Sequence, residues 1–169
     1  MIEGSRRSRS TALTVLLTLV AMFVFAPVGA ANASRQADLA AVRAATAPFH
    51  DVGKATDADY LPLLNCFESA EGGMGQHFVN VELLDAQVDA LEPESLVYEV
   101  RTDGLKLGAV EYIVPKDVWT QEQPPTLFGR IFLSNDELGL WVLHAWIWQP
   151  NPDGMFENYN PNIGNCPDA

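Results

Sequence analysis

The hydrophobic pattern of this chain changes period along its length. Residues 139–148 hold three tryptophans and no charged side chain, with His144 in their middle. A run apolar on both alternating faces is a strand covered on both sides, which predicts the centre of a sheet. Upstream, residues 96–101 and 105–114 flank Asp103-Gly104, the pattern of a hairpin with a two-residue loop. Residues 127–133 are a third predicted strand, 134–137 a turn, and 139–148 the fourth strand.

Earlier in the chain the spacing is helical. Leu39 and Val42 give residues 34–47 one apolar side, a short helix that Pro48 ends. Residues 50–64 read as a second short helix. Val81, Leu84, Val88 and Leu91 predict a third before Pro93. Between them the glycine-rich residues 71–76, EGGMGQ, form a loop leading into His77-Phe78-Val79-Asn80. That loop lacks the Lys and Ser/Thr of a phosphate-binding loop and the spacing of a dinucleotide fingerprint. Helices first and a meander after them predict an α+β fold: short N-terminal helices, then a mostly antiparallel sheet of about four or more strands in one domain.

The N-terminus adds a compartment. Arg6, Arg7 and Arg9 precede the uncharged apolar run 11–26, Pro27 breaks it, and Ala31-Asn32-Ala33 offers a cleavage site. Residues 1–33 therefore read as a secretory signal peptide and 34–169 as a single mature domain, secreted and without stable membrane insertion after cleavage. The alternative is an uncleaved anchor, since a run of this length barely spans a bilayer. Cleavage removes three Arg and one Glu and leaves seven basic against 21 acidic residues, a net charge of −14. Such a chain repels phosphate backbones, so nucleic acid is excluded as a partner class. In an exported chain the two cysteines, Cys66 and Cys166, read as a disulfide. Closing a loop of about 100 residues is worth about 4.7 kcal/mol in the chain-entropy description.

Charge in apolar surroundings marks the candidate chemistry. With Thr102 opposite Leu105, the register puts Glu111 on the same face as Leu96, Tyr98, Val100, Leu107, Ala109 and Ile113, a predicted core face. A buried carboxylate needs a partner or gives up its charge. His144 lies on an apolar strand face with Leu140, Val142, Trp146 and Trp148, and a Glu111–His144 pair satisfies both groups. His77, arriving from the glycine-rich loop, would complete a cluster. Two imidazoles and a carboxylate suffice to ligate zinc or another divalent metal, or to do acid–base work. Tyr112, Trp146 and Trp148 are candidates to line a small-molecule pocket, and core packing is the alternative reading of the same rings.

The stretches GGMGQHFVN, VEYIVP and LHAWIWQPNPDGMFENYNP resemble a group of exported bacterial proteins, over about residues 49–166. The resemblance implies export and one site or core shared by the three stretches. Three functions stay open. One is a small-ligand-binding module with an aromatic pocket and a buried His/Glu pair. The second is a metal-binding protein, or an enzyme using His77, Glu111 and His144 in metal-assisted or acid–base catalysis. The third is an extracellular interaction domain without a pocket.

Overall fold

The computed structural model describes residues 28–164 and Cys166. Most of the assigned leader, residues 1–27, lies outside the described residues, and α1 (Val28–Thr46) runs through the Ala31–Ala33 site. A 3-10 turn at Ala47–His50, with a proline in its first positions, and α2 (Val52–Asp57) follow. The strands are β1 (Leu61–Ser69), β2 (Gly72–Val79), β3 (Ser95–Arg101), β4 (Gly104–Pro115), β5 (Thr126–Leu127), β6 (Arg130–Ile131), β7 (Leu133–Asn135) and β8 (Leu140–Ala145). Six form one antiparallel sheet in the order β1-β2-β3-β4-β8-β7, and β5 pairs with β6 separately. The α+β class holds.

One face of the sheet carries the main core. Leu96, Tyr98, Val110, Tyr112, Val114 and Leu143 pack with Leu39 and Val42 of α1 and Ala55 of α2. Polar atoms of the rings reach backbone partners at the edges of this layer: Tyr98 Oη donates to Phe49 O and Tyr112 Oη to Ala90 O. The opposite face is covered by the C-terminal segment, where Ile163 and Trp146 pack on Val97 and Ala109. Asn160 N donates to Gly73 O at 2.9 Å, and the Cys66–Cys166 disulfide ties the same segment to β1, with Cα atoms 5.7 Å apart.

Several expectations are corrected by this arrangement. The tryptophan-rich strand is fifth of six in order, not central, and ends at Ala145. Burial on both faces reports layers above and below a strand, and says nothing about its place along the hydrogen-bonding direction. The glycine-rich residues 72–76 are strand, not loop: a bulged β2 pairs with β1, and β1 itself occupies the end of the expected second helix. No helix forms over 81–91, where only a 3-10 turn at Val81–Leu83 appears. Asp85 and Asp89 side chains accept from the amides of Gln87 and Leu91 there, local turns that compete with helical hydrogen bonds. The expected third strand is split by Phe128, at φ 53°, and Gly129 into the β5–β6 hairpin.

The hairpin register also differs. Arg101 opposes Gly104, so the loop is Thr102-Asp103, and Val97 opposes Ala109 while Tyr98 opposes Leu107. Gly108 is therefore an extra residue, a bulge whose carbonyl accepts from the amides of Trp148 and Gln149. The bulge reverses the facing of everything after it. Leu107 stays on the helix-covered face, whereas Ala109, Glu111 and Ile113 turn to the other one. Ser95, not Leu96, opposes Glu111.

Candidate functional site

The bulge, a cross-strand pair and a strand end build the site. Glu111 of β4 opposes His144 of β8 directly, and His77 comes from β2, paired with Val97, two residues along β3 from Ser95 and on the same face. All three side chains are buried, with exposures of 6% for His77, 5% for Glu111 and 1% for His144. His77 Nε2 lies 3.3 Å from Glu111 Oε2 and 3.3 Å from His144 Nε2, and His144 Nε2 lies 3.5 Å from Glu111 Oε1. The expected Glu111–His144 pair is thus formed, and His77 joins it. His77 is carried by a strand, which fixes its direction better than a loop would.

Burial and neighbouring charges act on this cluster in opposite directions. Burial alone would push Glu111 up, but the His144 and His77 imidazoles and the hydrogen bond to His77 hold it below its ordinary value. Burial pushes His144 down; Glu111 opposes this, His77 adds to it, and Asn158 counters it slightly. Four buried polar atoms of the described residues lack a hydrogen-bonding partner: His77 Nδ1, His144 Nδ1, Asn158 Oδ1 and Ser95 Oγ. Three belong to this neighbourhood through His77, His144 and Asn158, and Ser95 sits opposite Glu111 on the adjacent strand.

The cluster forms the inner end of a cavity of about 440 Å³. Its wall is mostly apolar and includes Leu63, Phe67, Met74, Ile113, Leu140 and Val142. Asn158 and Tyr159 reach it from the C-terminal segment, Asn135 from the end of β7, and Glu137 and Leu138 from the β7–β8 turn. Tyr112, Trp146 and Trp148 do not line it. Tyr112 is on the helix-covered face, and Trp148 lies against the exposed His50, with ring centroids 4.4 Å apart. Trp146 stacks behind His144 at 6.3 Å and donates its indole N–H to Glu157 O, a supporting wall and not a lining. The aromatic lining is Phe67 and Tyr159 instead. Phe67 lies on β1, beyond the residues 50–64 read as a helix and given no element by the sequence pattern, and the turn-rich 151–163 has no periodicity to show which side chains face inward.

Among the described residues, His77, Glu111 and His144 are a group with the donor types and the convergence to hold a metal ion. Donors about 2.0–2.1 Å from one tetrahedral ion stand roughly 3.3 Å apart, the separation seen here. Both Nε2 atoms would ligate as neutral imidazoles with their protons on Nδ1, and Asn158 Oδ1 is the unpartnered buried acceptor nearest in kind for His144. Among the described residues no helix is long and apolar enough to cross a membrane. No protein-family model, curated protein or solved structure matches this chain.

Proposed function

We propose that this is an exported small-molecule-binding protein that holds one divalent metal ion, zinc before others, on His77, Glu111 and His144. The observation that carries the reading is the convergence of three buried donors, 3.3–3.5 Å apart, at the inner end of a cavity. Three protein ligands leave a tetrahedral ion one position for a guest, the arrangement of an open site and not of a closed structural one. The ion would also resolve the cost of the cluster, because two buried imidazoles and a carboxylate pack more cheaply around a cation than around one another. Export is supported by the Cys66–Cys166 disulfide, which persists in oxidising compartments.

Elemental analysis of untagged protein, followed by calorimetric zinc titration of the metal-free form, tests this. One zinc per chain is expected, and none in the double variant His77→Ala, His144→Ala. Glu111→Gln keeps the shape and an acceptor but loses the charge. Its expected phenotype is near-native stability with zinc affinity down at least about tenfold, in the range that loss of a ligand or its orienting partner produces. Glu111→Ala is expected to destabilise by about 1–3 kcal/mol as well, by leaving buried donors alone. Metal-free native protein that takes up no zinc at pH 7.5 would sink the reading.

A further inference from the structure

The cavity over the proposed metal site is chemically one-sided, and its charge balance points to a class of guest. Two neutral imidazoles, one carboxylate and a divalent ion sum to a single positive charge in a buried place. Among the described residues no Lys or Arg lines the cavity, while Glu137 stands at its outer rim. A guest with one anionic oxygen cancels the site's charge. An uncharged guest leaves it uncompensated, and a dianion overshoots it with no cation in the wall to meet the excess. The chain's net charge of −12 acts against polyanions in the same direction.

The wall sets the rest of the guest. Beyond the metal-site end it is aliphatic, thioether and aromatic, and Leu63 and Leu138 continue it into solvent at 43% and 50% exposure. Apolar side chains held half-open at a cavity rim are what an apolar body emerging from it would cover. A cavity of about 440 Å³ has room for about 15 non-hydrogen atoms at about 30 Å³ each, the volume a water molecule takes in the liquid.

Resting on the metal reading above, we propose that the guest is a medium-chain monocarboxylate of about 8–12 carbons, its size set by that volume. The carboxylate occupies the open position of the metal, and the chain runs along Phe67, Met74 and Ile113 toward Leu63 and Leu138.

The test begins with full-length mature protein brought to one zinc per chain, verified by elemental analysis, and titrated with decanoate by calorimetry. One decanoate per chain is expected. Butyrate is expected to bind at least about 100-fold more weakly, since six methylenes fewer are buried. Decanol and decyl phosphate each fall at least about tenfold below decanoate, and so does decanoate on the metal-free protein. Leu138→Glu, at a half-exposed rim position away from the three metal ligands, is expected to keep the zinc and to lower decanoate affinity at least about tenfold. Zinc-loaded protein that binds no decanoate, or binds it no better than butyrate, decyl phosphate or the metal-free protein does, overturns this proposal alone. Failure to load zinc overturns the metal reading and this proposal with it.

Discussion

Glu94 and Glu111 are both buried carboxylates near the same end of the sheet, and they meet the cost of burial in opposite ways. Glu111 keeps its charge beside two imidazoles. Glu94, 3% exposed, has no imidazole beside it, and the Ile113 amide donates to its Oε2 at 2.9 Å. Burial pushes its pKa up to about 8; the backbone hydrogen bonds pull back, and Asp85 and Glu111 push further up. Its native value lies above the ordinary 4.5, so the folded chain holds this proton more tightly than the unfolded one. The resulting stability is complete below about pH 4.5 and is lost as the pH rises through about 8. Glu94→Gln keeps the acceptor without the charge. Urea denaturation should find it nearly silent at pH 5 and stabilising by more than about 1 kcal/mol at pH 9. Equal effects at both pH values would mean that Glu94 ionises freely in the native state.

At the level of elements, β2 shows why a glycine-rich stretch can be a strand. Gly75 has φ +94°, and a Cβ there would run into the Tyr98 carbonyl of β3. Gly73 lies against Ile163, so the C-terminal segment can settle on the strand. The glycines let β2 bulge and be overlain while still delivering His77 to the cavity. Gly75→Ala should therefore cost more than the left-handed backbone penalty alone, about 3 kcal/mol or more by combining strain with a clash. Gly139→Ala has φ +68° but open space around it, and should cost only about 1–2 kcal/mol. Thermal or urea unfolding of the two variants side by side checks the contrast, and equal losses would deny the close approach at Gly75.

For the whole molecule, the C-terminal segment is the lid of the second sheet face, and one covalent bond closes it. The Asn160–Gly73 hydrogen bond, the contacts of Ile163 and the Cys66–Cys166 bond hold this segment, which carries Asn158 and Tyr159 over the cavity. The disulfide spans 100 residues, and constraining an unfolded loop of that size contributes about 4.7 kcal/mol in the chain-entropy description. Cys66→Ser, Cys166→Ser should lower the urea midpoint by a stability loss of about 2–5 kcal/mol. A midpoint unchanged from that of the native protein would show that packing alone closes the segment.

What the sequence determined by itself was carried by composition and local chemistry. Two cysteines in a chain with a leader-like N-terminus implied the disulfide, Leu39 and Val42 implied the first helix, and Asp103-Gly104 implied a hairpin in nearly its true place. Glu111 and His144 were legible as a pair because each stands among apolar neighbours, where a lone polar group is costly whatever the register. The inference survived a wrong register for that reason: Gly108 moved Glu111 to the other face, and that face is buried too. The tertiary structure alone decided the rest. A bulge is a choice between two pairings that differ by one residue, settled here where the amides of Trp148 and Gln149 meet the Gly108 carbonyl. The cavity wall comes from β1, β2, β4, β7, β8, a turn and the C-terminal segment. Which side chains from such distant stretches face one volume is fixed only when the sheet order and the disulfide bring them together.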